Sequence, residues 1–394
     1  MNRRNLASWV LGFSLMLYLP IVGSIKLVDV VVLIVSMILI KKSAFTKKST
    51  LALAFFGFVI VSSTLTNTIA HNYLLNDVYM GLGGFILSCI GFLVGISLTG
   101  REVVSFCKGY LLSVLIITAV SLLSRFQILP LNSLLYDSSV GNFITGTMSD
   151  PNRFGYALNI GLIFLLYSFQ FYKSLDKFSL VRYALVAFLF VCILFTGSRS
   201  SSVIALFIII TFLFIEFFKK KYIINFLIKS PFYILLISIA FFFIVGYIIP
   251  RYGMLFDIFD KLENSGIGYQ DDPRYQILRK LLSILENQYM IGYGIEGFKF
   301  MSGLTSHNSY AEILFSSGII GFFFYFFFII YRNIKVLLFT KARNISIGNI
   351  SVLKKISILF FGFSLIYMMS LNLNFLLLFY VLLGVFSDFR RHYQ

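Results

Sequence analysis

Residues 51–70 read LALAFFGFVIVSSTLTNTIA, twenty positions without one charged side chain. At about 1.5 Å of rise per residue, a helix of that length covers the roughly 30 Å hydrocarbon core of a bilayer. Further apolar runs follow the same pattern at 6–22, 27–40, 82–99, 109–124, 154–171, 178–195, 202–218, 231–249, 311–331, 356–370 and 373–387. In hydrocarbon every backbone N–H and C=O must be satisfied within the protein, and continuous apolar runs of this length do so as helices. Composition agrees: 59% of the 394 residues are apolar and 12% charged, where soluble domains are nearer one half and one quarter. A soluble enzyme, a disordered chain and a secreted disulfide scaffold are excluded. The chain is read as one all-α polytopic membrane domain, 1–394, with about twelve transmembrane helices. Its first run follows Arg3 and Arg4 and has no small-residue cleavage site before Lys26, so it reads as a retained helix and not a signal peptide.

The net charge of +17 suggests nucleic acid in a soluble protein, but in a membrane protein it must first be set against the positive-inside rule. With a cytoplasmic amino terminus, Arg3, Arg4, Lys41, Lys42, Lys47, Lys48, Arg101, Lys108, Lys173, Lys177, Arg182, Lys219 to Lys221, Lys229, Arg332, Lys335, Lys341, Arg343, Lys354, Lys355, Arg390 and Arg391 all fall inside. They are most of the 33 basic residues, so the charge carries no nucleic-acid meaning and both termini are placed in the cytoplasm. The remaining bases face outward, against the rule: Lys26, Arg125, Arg153, Arg199 and six in the segment 250–308. That segment is the one large polar excursion, a loop between the ninth and tenth helices. Ile277, Leu278, Leu281, Leu282, Ile284 and Leu285 recur in it at helical spacing, the pattern of an amphipathic helix at the outer surface. Cys89, Cys107 and Cys192 lie in or beside apolar runs, unclustered, which suggests core filler and neither disulfides nor a thiolate metal site.

Four constellations on the outer side hold chemistry. In Ser149-Asp150-Pro151-Asn152-Arg153-Phe154-Gly155, Asp150 and Pro151 read as a helix start. Capping does not explain Arg153, because a cation in the first turn opposes the helix dipole; it points either to an anion or to a structural partner. In Thr196-Gly197-Ser198-Arg199-Ser200-Ser201-Ser202 the serines and first-turn N–H groups suit an anion, with Arg199 adding a planar fork of donors; the plainer reading is a snorkelling anchor. In Asp271-Asp272-Pro273-Arg274, with Arg279 and Lys280 beyond, the two arginines stand about 140° apart on a helix, so Arg274 is chosen for a site, and the Asp pair reads as its salt-bridge partner in preference to a cation site. In Ser306-His307-Asn308-Ser309-Tyr310-Ala311-Glu312, a helix amino terminus keeps an imidazole neutral, the form a general base needs; a capping histidine is the alternative. Glu312 is either an orienting partner or an intramembrane acid. Nucleophile-elbow, zincin, Cys/His and P-loop signatures do not occur.

These pieces in this order, DPNRFG, TGSRS, an outer-loop arginine, and His307-Asn308 followed by Gly318-Ile319-Ile320-Gly321, resemble the O-antigen ligase and O-antigen polymerase superfamily over about residues 140–330. The resemblance implies a bacterial inner-membrane glycosyltransferase with a periplasmic active site and no metal or other cofactor. Its donor would be an undecaprenyl-diphosphate-linked oligosaccharide, held by Arg199 and Arg274, with His307 activating the acceptor hydroxyl and inversion at the anomeric carbon. Arg153, Asn152, Arg279, Asn308 and Glu312 are the expected substrate-binding residues. Membrane lipid and a chain-length regulator protein are the expected partners, and nucleic acid is not. Met290-Ile291-Gly292-Tyr293-Gly294 resembles the family's proline-x-x-Gly-x-Gly segment, with Gln288-Tyr289 where proline is frequent. A single histidine where many ligases have two nearby favours polymerase over ligase. A lipid-linked oligosaccharide flippase is the reading from another class; it predicts midplane charges and broken helices related by a repeat.

Overall fold

The computed structural model describes residues 2–22, 25–45, 48–71, 74–126, 128–129, 143–148, 150–168, 179–217, 273–285, 288–303, 308–326, 347–368 and 376–386. The expected ninth helix at 231–249 and the loop up to residue 272 lie outside them. Chain packing divides the molecule into two units, Met1–Ile204 with Leu278–Gln394, and Ala205–Ile277. In the second unit the described residues, 205–217 and 273–277, are helical.

The regular elements of the described residues are helices and one short hairpin, Pro20–Val22 against Ile25–Lys26. The helices are α1 (Arg3–Ser14), α2 (Leu27–Leu39), α3 (Lys48–His71), α4 (Leu75–Ser97), α5 (Gly100–Arg125), α6 (Pro151–Ser168), α7 (Ser179–Phe195), α8 (Arg199–Phe217), α9 (Pro273–Leu285), α10 (Gly297–Ser302), α11 (Ser309–Phe324), α12 (Ile347–Tyr367) and α13 (Leu377–Phe386). Three of them, within Thr50–His71, Leu75–Ser97 and Gly100–Arg125, are long and apolar enough to cross a membrane by themselves. Leu27–Leu39, Tyr183–Phe195, Ser200–Leu213, Ser309–Phe324, Lys355–Tyr367 and Leu377–Phe386 are apolar but shorter.

Small residues set the closest helix contacts, as expected where lipid removes the hydrophobic drive between helices. Gly12 of α1 lies against the Phe106 carbonyl of α5, and Gly109 of α5 against the Trp9 carbonyl, so the two backbones touch where neither helix carries a side chain. On α4, Gly91 and Gly95 are spaced four apart and receive Leu377, Val381 and the Gly384 region of α13 in the same manner. At one end of these helices Arg4 donates to the Ile38 and Leu39 carbonyls (2.8 and 3.0 Å) and to the Glu102 carboxylate (2.6 Å), while Thr99 N–H donates to the other Glu102 oxygen. The start of α1, the end of α2 and the start of α5 thus meet where sequence reading puts the cytoplasmic bases.

Two expectations change. The first apolar run, read as one helix through residue 22, ends its helix at Ser14; the chain then folds back, with Leu27 N–H on the Leu19 carbonyl and Val28 N–H on that of Leu17. Pro20, which lacks a donor, stands in the hairpin and not in a helix interior. The tenth run, read as continuous over 311–331, is broken at Gly318, whose φ of 62° and ψ of −171° are not helical.

Candidate active site

The DPNRFG segment forms the helix start its sequence announces. Asp150 Oδ1 accepts the Asn152 N–H at 2.7 Å, its carbonyl accepts that of Phe154 at 3.1 Å, and Pro151 opens α6 without a donor to satisfy. Gly155 is packed directly on Ser201 and Thr196, so α6 and the start of α8 cross where a methyl group would not fit. One turn on, Asn159 Nδ2 donates to the carbonyls of Gly155 and Ser201 and to the Tyr367 hydroxyl, tying in α12. The first two constellations are therefore one assembly.

Within it the serines also order the turn. Ser198 caps α8: its hydroxyl receives Ser201 N–H (3.3 Å) and Ser201 Oγ (2.7 Å), and Ser202 Oγ donates to its carbonyl (3.0 Å). Ser198 and Ser201 are buried and bonded to each other in the turn, which Gly197 permits with a φ of 65°. Arg199 is the first residue of α8 and Arg274 the second of α9, in the second unit. Their side chains, and His307 altogether, lie outside the described set.

Arg153 and Asn152 are half-buried at the first turn of α6. The Arg153 Nε is buried without a hydrogen-bond partner among the described residues. A strap lies near it: Thr147 Oγ1 donates to the Met16 carbonyl and accepts Tyr18 N–H at 3.2 Å, and Lys26 Nζ sits 5.1 Å from the centre of the Tyr18 ring. Burial pulls the Lys26 ammonium below its ordinary pKa; Asp29 opposes this and Arg153 adds to it. The two cations thus lie within electrostatic reach of each other, with Asp29 acting on Lys26 and Glu296 on Arg153. Sequence reading marked Lys26 only as an outward base; its pairing with Arg153 depends on the hairpin, which a continuous first helix conceals.

The segment 289–295 docks into the break of α11. Tyr293 N–H donates to Phe315 O (2.7 Å), Gly294 N–H to Ser316 O (2.9 Å), Ile319 N–H to Tyr289 O (2.8 Å) and Ile320 N–H to Met290 O (3.3 Å). From α3, Ser63 Oγ and Asn67 Nδ2 donate to the Gly292 carbonyl, and Thr64 Oγ1 accepts Ile295 N–H. The MIGYG stretch is thus a backbone plug, and it delivers Glu296 to a position where the charge of Arg153 acts on it. Asn308, expected to bind substrate, caps α11 through Oδ1, which accepts the N–H groups of Tyr310 and Ala311 at 3.0 and 3.1 Å. Glu312 is buried one turn further, and Arg279 is exposed on α9. Among the described residues no three His, Cys, Asp or Glu side chains are grouped as metal ligands.

No curated protein matches the chain. Residues 184–326, which hold the TGSRS turn, the plug and the broken helix, match a family model described as O-antigen ligase. That match supports the resemblance carried by the motifs, to the superfamily of O-antigen ligases and polymerases.

Proposed function

We propose that the protein is an integral membrane glycosyltransferase that polymerises undecaprenyl-diphosphate-linked oligosaccharide repeats at the periplasmic face of the bacterial inner membrane, with about twelve crossings and both termini cytoplasmic. One observation supports this most: the Arg153 Nε is buried with no hydrogen-bond partner among the described residues and lies within electrostatic reach of Lys26, at the start of the helix on which the second motif packs. Breaking a sugar-phosphate bond leaves a diphosphate with more negative charge than before, and guanidinium groups stabilise it increasingly as it forms. Arg199 and Arg274 keep the diphosphate-binding roles their motifs imply, and a neutral His307 takes the proton of the attacking hydroxyl. The lipid tail stays in the bilayer, so a site built at helix ends suits its head group.

Ligation to lipid A core is the second reading, favoured by the match of residues 184–326 to a family described as O-antigen ligase. Transport is disfavoured: the broken helix seen among the described residues is filled by residues 289–295 through backbone pairing, whereas a transporter leaves such a break to line a pathway. Purified protein in proteoliposomes, given lipid-linked repeats with and without core oligosaccharide, tests all three. Lengthened lipid-linked glycan supports polymerisation. Transfer to core alone supports ligation, and movement across the bilayer without a new glycosidic bond refutes both.

A further inference from the structure

We propose that Glu296 binds the saccharide, accepting sugar hydroxyls next to the anion site at Arg153; this rests on the glycosyltransferase reading above. Among the described residues Glu296 is the one non-glycine residue with positive φ, at 60°. An L side chain there costs roughly 1 kcal/mol, and such outliers concentrate at ligand sites. Gly294 and Gly303, on either side, adopt positive φ as glycines. Position 296 carries a carboxylate where the backbone alone favours glycine.

The surroundings hold that carboxylate without using it up. Its stem lies against α4 at Gly81, where a missing side chain makes room. Lys299 Nζ is 3.9 Å away, beyond hydrogen-bond length, and Lys299 also faces Asp77 at 3.7 Å. About a third of the Glu296 side chain is exposed. A carboxylate has about four lone-pair sites, so these contacts leave acceptor capacity free. Burial raises its pKa, opposed by Lys299, supported by Asp77 and opposed again by Arg153. The last effect places Glu296 within electrostatic reach of the site proposed for the diphosphate. The group bonded to that diphosphate is a sugar, whose hydroxyls are donors of the type a carboxylate binds most strongly.

Two probes and three variants test this: undecaprenyl diphosphate alone, and the same lipid carrying the native repeat, extracted from cells lacking the protein. Glu296→Gly relaxes the backbone and Glu296→Gln keeps the shape. Both are expected to bind the bare lipid as the wild type does and the glycosylated lipid about tenfold more weakly. Arg153→Ala is expected to lose both probes. Equal affinity of the Glu296 variants for the glycosylated lipid, or an equal loss for both probes, overturns the saccharide role while leaving the enzyme reading in place. If the wild type binds neither probe, that reading and this inference fall together.

Discussion

Replacing Gly318 by alanine tests the broken helix and the plug at once. Its φ of 62° and ψ of −171° lie in a region that essentially only glycine occupies, so an alanine there costs on the order of 1–3 kcal/mol. The added Cβ would also press on the Met290 carbonyl and the Ile291 backbone nitrogen, and main chain cannot swing aside as a flexible side chain does. Moving the plug sacrifices the bonds from Ile319 to Tyr289 and from Ile320 to Met290, each worth about 1 kcal/mol net. The expected destabilisation is about 3–5 kcal/mol. It can be read by reversible unfolding in mixed micelles as the denaturing detergent fraction rises. Gly362→Ala serves as the control, because a Cβ at that position meets nothing within 4 Å. The control is expected to stay within about 0.5 kcal/mol of wild type. Should Gly318→Ala unfold with it, the plug does not depend on that glycine and the account of α11 is wrong.

Arg199→Ala and Arg274→Ala should each abolish glycan assembly while leaving membrane insertion unchanged, and lysine should restore little because a bidentate fork is lost. Chain formation by both alanine variants in a lipid-linked glycan assay removes them from the site. His307→Ala should lower turnover by roughly 10²- to 10⁴-fold with donor affinity nearly unchanged; parallel losses in both quantities contradict a base. Lys26 has a folded pKa below its unfolded value, so its charged form is disfavoured by folding: its contribution is present only above the unfolded pKa and is lost as pH falls through the folded one. At neutral pH the empty protein carries that penalty. Lys26→Met should therefore melt higher than wild type near neutrality while binding undecaprenyl diphosphate more weakly, and a variant that melts lower removes the reason for reading Lys26 as strained by its neighbours.

Where a property is local, the sequence announces it. The run at 51–70 falls within α3, and Asp150-Pro151 forms the cap its chemistry requires. Apolar periodicity also places the amphipathic helix Pro273–Leu285, with Leu281 and Leu285 buried. What stays hidden depends on partners far along the chain. A glycine inside the apolar stretch 311–331 looks like any other until residues 289–295 pair with the gap it opens. Ser198 and Ser201 have the composition of an anion site, but they satisfy each other first. Glu296 is one of seven acids in a mixed polar segment, and nothing local separates it from the rest; its neighbours Asp77 and Arg153 come from other helices.

The contact between Arg4 and Glu102 bears on how the molecule is made. Those partners are 98 positions apart, and the same guanidinium covers the carbonyls that end α2. During synthesis the first helical hairpin emerges with its arginine lacking the carboxylate that fixes it, and gains it only once α5 has left the ribosome. Glu102 is thus a latch that closes late, and a chain truncated before it would lack the carboxylate that fixes Arg4.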